Sequence, residues 1–203
     1  CYLSQHMDEM KKNTIAGFNI SCVGDNRNYS YLPSRKGNTI ADRAAKHVLE
    51  HHAANYTQYN FLDRRSDERQ YCSIGVDLPV VTVARTLYWH YPEYHTSLDD
   101  LTVITPEGLG GGYMAIRRCI ECLEENAIMI TTMPCEPQFG KRGLFPTLSK
   151  GKGSTATVLG KLTAMDLLNL WAYCDGENDL LSIASKINVP LWDLLPAIKA
   201  LNE

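Results

Sequence analysis

The stretch YPEYHTSLDDL at residues 91–101 sets a histidine between a tyrosine and a threonine, with two aspartates four and five positions further on. Imidazole is a good zinc donor. A ligating histidine needs a nearby acceptor to fix its tautomer, a task open to Asp99 or Asp100. A second polar group, Ser66-Asp67-Glu68-Arg69, lies on the other side of the apolar run LPVVTVA at 78–84. That run reads as a strand buried on both faces. Two polar turns flanking one buried strand are where α/β folds place binding and catalytic groups. Spacing alone leaves a plainer account open, in which Asp67, Glu68 and Arg69 pair locally and His95 packs in a loop.

A rival metal pattern is HVLEH at 47–51. On a helix it puts His47 and His51 one turn apart with Glu50 beside them as a base, and Glu121, Glu124 or Glu125 could supply a third donor. Against it, His51 shares its helical face with Ile40 and Ala44, as a packing residue would. Cys119 and Cys122 form a CxxC, but there is no second pair for a metal knuckle and no strand leading into a helix N-terminus for a redox motif. They read as packing residues. Gly110, Gly111 and Gly112 are not followed by the Lys-Ser/Thr of a phosphate loop, so they imply close helix packing and not a nucleotide.

These residues need a scaffold, and its elements are partly legible. Residues 3–12 have helical character. IAGFNISCVGD at 15–25 alternates apolar and polar residues before a turn and reads as a strand with Asp25 at its end. NTIADRAAKHVLEHHA, with Thr39 as cap, reads as an amphipathic helix, and YTQYNF at 56–61 as a strand. Thr105-Pro106 opens a helix that continues to about 125. Proline, glycine and lysine crowd residues 134–160, which reads as a linker. Thr163 with Asp166 then starts a helix, CDGEND reads as a turn, and two more helices meet near Asn188–Pro190. The expected fold is α/β, a mixed sheet flanked by helices over 1–133, then the linker and a small helical domain at 161–203.

Composition narrows the partners. The 203 residues are 44% hydrophobic and 21% charged with a formal net charge of −3, which gives no general reason to expect nucleic acid or an anionic membrane. No apolar run reaches the roughly 18 residues that span a bilayer. Seven scattered cysteines lack the spacing of a disulfide scaffold and point to a reducing, cytoplasmic setting. The helical tail invites comparison with DNA-binding helix-turn-helix units, but residues 151–203 carry four lysines and no arginine against six acids, a net of −2. Such a surface collects no phosphates. Trp171, Trp192 and the leucines point instead to a small core with a protein-contact surface.

Read in order, SDERQY, a strand and YPEYHTSLDDL resemble the closing half of the aminopeptidase-type zinc exopeptidase fold. With CVGD, SRKGNTIADRAAKHVL and EPQFGKRGLFPT they resemble, over nearly the whole chain, a bacterial branch of aminopeptidase-like proteins that end in a winged-helix-like domain. The resemblance implies zinc as cofactor and His95 as its ligand, with Thr96 and Asp99 in the family's supporting His-Thr-x-x-Asp positions. It implies a metal-binding aspartate near Asp25, although the family's ligand falls closer to Ser21. Glu68 stands where many relatives have a histidine. Asp67, Glu68, Tyr71, Tyr94 and Asp99 would line a pocket for a peptide or small amide substrate.

The family's first ligand histidine, bridging aspartate and general-base glutamate lie upstream of the segment resembling CYLSQH. The expectation is therefore a C-terminal half of the domain, inactive alone, within a protein that hydrolyses N-terminal peptide or related amide bonds. The competing expectation is a binding or assembly module that keeps the fold without metal.

Overall fold

The computed structural model describes residues 2–53, 55–145, 159 and 161–202. The chain divides into two compact units, Cys1–Leu123 and Glu124–Glu203. The first contains α1 (Tyr2–Asn13), β1 (Gly17–Asn19), β2 (Ser30–Leu32), α2 (Ile40–His52), β3 (Thr57–Gln58), α3 (Glu68–Tyr71), β4 (Val80–Ala84) and most of α4 (Pro106–Glu124). Its sheet runs β1-β4-β2-β3, with β1 parallel to β4, β2 antiparallel to β4 and β2 parallel to β3. It is thus a mixed sheet, with Phe18 opposite Val81 and Tyr31 opposite Val83.

All five residues of β4 are buried, which explains why this central strand is written as four β-branched residues and an alanine with no alternation of polarity. Both faces of β4 are covered, so alternation would put polar groups into the core. β1 is an edge strand and much shorter than the 15–25 stretch that alternates in sequence. The chain leaves the sheet after Asn19, and Cys22 then takes the left-handed region at φ 52°.

Helix α2 is held to the sheet through one carboxylate. Thr39 and Asp42 form a capping box, and Asp42, fully buried, accepts from Thr39 N at 2.9 Å and Thr39 Oγ1 at 2.6 Å. The same group accepts from the Tyr31 hydroxyl at 2.6 Å, from Ser34 N at 2.9 Å and from Ser34 Oγ. Helix start, end of β2 and the intervening turn are therefore joined at a single point.

Further along α2, His47 is 1% exposed and its ring meets that of His51 at 4.8 Å. Burial, with the neighbouring His51 adding to it, pushes the His47 imidazole down to about 4. A histidine that folds neutral and unfolds to its ordinary pKa of about 6.5 loses stability as pH falls, because the unfolded chain binds the extra proton. The contribution is complete above pH 6.5 and declines through the window down to about 4, by roughly 1.4 kcal/mol per pH unit. Urea titrations between pH 4 and 7 are expected to show this slope, and His47→Gln to flatten it.

The second unit comprises β5 (Ile128–Ile130), α5 (Ala164–Ala172), β6 (Asp175–Asp179), α6 (Leu180–Ile187) and α7 (Leu191–Asn202). Leu167, Leu170, Ile183 and Leu194 are fully buried in its core. Asn188, left-handed at φ 55°, closes α6 two residues before Pro190. The stretch CDGEND, read from sequence as a turn, contains β6, which pairs antiparallel with β5. That pairing puts residues 124–133 in this unit and places the division ten residues before the expected one at 133/134. Most of the expected linker at 134–160 lies outside the described residues, as do residues 146 and 147 of the EPQFGKRGLFPT motif.

Candidate functional site at the ends of β1 and β4

Parallel strands β1 and β4 lie side by side, so the loops leaving their C-terminal ends converge, as at the ligand sites of open α/β sheets. Arg85 N donates to Cys22 O at 2.8 Å, which continues the pairing past both strands. Asp25 then fastens one loop to the other. Its carboxylate is 5% exposed and accepts from Thr86 N at 2.9 Å, Thr86 Oγ1 at 2.6 Å and Arg27 N at 3.0 Å. Asp25, expected as a doubtful metal ligand, is therefore occupied as a loop clamp.

The clamp is pressed against α4 by glycines. A Cβ on Gly108 would overlap the carbonyl oxygen of Gly24, and one on Gly112 would come within 2.6 Å of the Val23 carbonyl oxygen. Of the three glycines expected to pack closely, Gly111 and Gly112 do, whereas a Cβ on Gly110 would meet nothing within 4 Å, and Gly108 joins them without having been singled out in the sequence. Gly108→Ala is expected to cost about 2 kcal/mol or more, since backbone and not a flexible side chain must move. A denaturation midpoint unchanged by this substitution would contradict the packing.

Glu68, expected to line the pocket, is fully buried. One carboxylate oxygen accepts from Arg65 N at 2.8 Å, Ser66 N at 2.9 Å and the Tyr88 hydroxyl at 2.8 Å; the other accepts from Asn19 Nδ2 at 2.9 Å and more weakly from Thr82 Oγ1 at 3.4 Å. With every lone pair engaged, Glu68 has no capacity left for substrate. It ties together the turn before α3, both strands and the start of the β4 loop. Asp67 and Tyr71 lie elsewhere, in a groove of about 450 Å³ along the free edge of β1 with Met10, Phe18 and Ile20.

Above Tyr88 the loop 89–99 carries an interlocked set of rings. Tyr94 stacks on His95 with centroids 4.0 Å apart and planes at 13°. Trp89 meets Tyr94 edge-on at 5.1 Å and His95 at 5.8 Å, while Tyr91 and Tyr88 approach Tyr94 at 5.6 and 6.4 Å. Cys22 and Tyr94 both pack on the cluster of Leu32, Ala84, Leu87 and Tyr88, and the Tyr91 hydroxyl reaches Cys22 Sγ at 3.6 Å. Burial, with that contact adding to it, pushes the Tyr91 hydroxyl's pKa up. Arg27 forks onto Glu93 at 2.8 and 2.7 Å and holds that carboxyl at about 2.

Three residues of this assembly, Cys22, Trp89 and His95, have positive φ values of 52°, 64° and 58° without being glycine. Such residues cost of order 1–3 kcal/mol each, and they concentrate at functional sites because only the surrounding structure sustains them. Trp89 escaped the sequence reading. Its one available signal was the density of aromatics in LYWHYPEYH, since backbone sign is not written in a tryptophan.

His95 is exposed, and neither ring nitrogen makes a hydrogen bond among the described residues. It is free to act as a donor to a metal, but Asp99, expected to orient it, is exposed and makes no bond to it. Among the described residues no group of three or more His, Cys, Asp or Glu side chains could hold a metal ion. His47 and His51 do not gain a third donor: Glu50 is exposed, and Glu121 is engaged by Arg117 and Arg118, both at 2.7 Å. The donors present therefore do not make up a zinc centre with three protein ligands. Cys119 and Cys122 are both buried, with burial raising the Cys122 thiol to about 12, as for inert packing residues.

Comparison with known proteins adds a lineage. Residues 1–126 match a family model described as a domain of unknown function (DUF4910), and residues 127–203 match a winged helix-turn-helix model. The chain is 33% identical over 186 residues, 91% of its length, to a Clostridium acetobutylicum protein named "Putative polysaccharide biosynthesis protein with aminopeptidase-like domain". It spans 41% of that relative. A crystal structure named for a "putative peptidase" from Clostridium acetobutylicum superposes with a TM-score of 0.83 at 29% identity, covering 99% of this chain and 43% of that one. The mixed α/β domain followed by a winged helix is thus a peptidase-like fold. No helix among the described residues is long and apolar enough to cross a membrane.

Proposed function

We propose, for a chain that belongs through residues 1–126 to the family described as a domain of unknown function (DUF4910), a role as the substrate-facing part of an aminopeptidase-like hydrolase acting on peptide or related amide bonds. One observation carries the reading. The three strained non-glycine residues Cys22, Trp89 and His95 are joined through Tyr91 and Tyr94 at the C-terminal ends of β1 and β4. The 33% identical relative, whose name pairs an aminopeptidase-like domain with polysaccharide biosynthesis, supports the same class of chemistry.

In this reading His95 presents its imidazole to a zinc ion in the whole protein, and the other protein ligands and the general base lie outside the described residues. Tyr94 fixes the His95 ring by stacking, Asp25 fixes the loop beneath it, and Trp89 borders the cleft. Hydrolysis of aminoacyl amides by the whole protein is expected to fall about 100-fold in His95→Ala, equivalent to roughly 2.7 kcal/mol of transition-state stabilisation. Zinc content is expected to fall in parallel. Unchanged rate and zinc in that variant would remove His95 from the site. Strong activity of residues 1–203 alone would show that this segment carries its own base.

The winged helix is assigned to protein contact, because its acids outnumber its lysines where a DNA reader needs a basic stripe. A gel shift persisting at about 200 mM salt would overturn that assignment.

A further inference from the structure

We infer that the ring cluster of Trp89, Tyr94 and His95, with Arg65 beside it, is a saccharide subsite that takes a sugar ring bearing a carboxylate, next to the amide to be cleaved. The inference rests on the reading of this strand end as a substrate cleft and specifies what the substrate carries.

Trp89 is 59% exposed in a backbone conformation unfavourable for any side chain but hydrogen. An exposed indole contributes little to the core, and the strain works against folding, so the arrangement is explained by neither packing nor local preference. The ring is also held. Tyr94 and His95 both abut it at steep angles, 66° and 70°, and Tyr94 is in turn braced by Tyr88 and Tyr91. A fixed aromatic surface is a low-entropy contact for a ligand, since little side-chain freedom is lost on binding.

Charge identifies the occupant. The Arg65 guanidinium stands 6.0 Å from the centre of the Trp89 ring, is exposed, and has no carboxylate partner among the described residues. Arg27, over the neighbouring Tyr91 ring, is already paired with Glu93. An unpaired planar fork of donors beside an aromatic face suits a ligand with an apolar face and a carboxylate at its edge. A pyranose ring has an apolar C–H face, and a uronic acid adds the carboxylate. The exposed Asp99, in the same loop, supplies an acceptor for hydroxyls. A peptide strand fits less well: residues 89–102 form turns and bends, and offer no strand for a peptide to pair with.

The test is titration of the protein with a hyaluronan tetrasaccharide, which contains both glucuronate and N-acetylated amino sugar, followed by NMR or calorimetry. Chitotetraose serves as the neutral probe and Leu-Gly-Gly as the peptide probe. The acidic tetrasaccharide is expected to bind, and Trp89→Gly to weaken it by about tenfold or more while the thermal midpoint holds or rises, because glycine relieves the positive φ. Arg65→Gln is expected to weaken the acidic probe several-fold and leave chitotetraose unchanged. No saccharide binding up to about 10 mM, or binding unaltered by Trp89→Gly, would overturn the proposal. Binding of the tripeptide alone would overturn it in favour of a peptide subsite. Amide hydrolysis without saccharide binding would count against the subsite only, and saccharide binding without amide hydrolysis against the hydrolase reading only.

Discussion

Replacing Glu68 by alanine is expected to lower the unfolding free energy by about 4 kcal/mol, or to prevent folding at 37 °C. Five donors converge on this buried carboxylate: two backbone amides, the Tyr88 hydroxyl, the Asn19 amide and the Thr82 hydroxyl. A hydrogen bond to a charged group contributes about 1.5–3 kcal/mol, and each buried donor left without an acceptor adds a desolvation cost of about 1–3 kcal/mol. Water entering the vacated volume would recover part of the loss, which is why the total falls well short of the sum.

Glu68→Gln separates charge from shape. Its amide nitrogen must face either the Arg65–Ser66 amide pair or the Asn19 amide, donor against donor, so about half of the alanine effect should remain. Urea denaturation of both variants decides the matter. A loss below about 1 kcal/mol in Glu68→Ala would mean that the network does not form.

Asp42→Ala should be as severe, at about 4 kcal/mol, by a different route. Burial alone would raise the pKa of this carboxyl, but the bonds from Ser34, Thr39 and Tyr31 outweigh burial and hold it below the ordinary aspartate range. A depressed folded-state value means that the stabilisation is complete above the unfolded pKa, about 3.9, and is lost as pH falls through the lower folded value. The native protein should therefore show two acid steps. The His47 slope comes first, between pH 6.5 and about 4, and a further loss follows below it, to which Asp42 contributes beside Glu93 and Asp77, the carboxyls held low by Arg27 and Arg35. Asp42→Asn should shrink the second step and leave the first. A lower step of unchanged size would remove Asp42 from it.

Both carboxylates bear on what a sequence can disclose. Thr39 was legible as a cap because its partners are local, and the capping box confirms it. The remaining partners of Asp42, Tyr31 and Ser34, lie eleven and eight residues away, and no pattern announces them. Glu68 was misplaced for the same reason. A charged residue in a polar turn reads as lining a pocket or pairing with its neighbours, and only the fold brings Tyr88 and Asn19 to it.

Strands divided along similar lines. β4 was plain because both its faces are buried, whereas β2 is three residues long, too short for a period to show. β6 contains Asp, Gly, Glu and Asn, residues that disfavour strands, and exists through its pairing with β5. At the site, residue type drew attention to His95, but the strained backbone that marks it off from an ordinary loop histidine is a property of three dimensions.

The contact between α4 and the loop of Val23 to Asp25 has a bearing on how the protein can drift. Gly108 and Gly112 bring helix and loop together main chain to main chain, so the spacing beneath the candidate site is set by peptide units and not by any side chain. The floor of the site thus behaves as a fixed datum: lineages could exchange the rings above it to suit new substrates while two hydrogen atoms, one on each glycine, keep the geometry below unchanged.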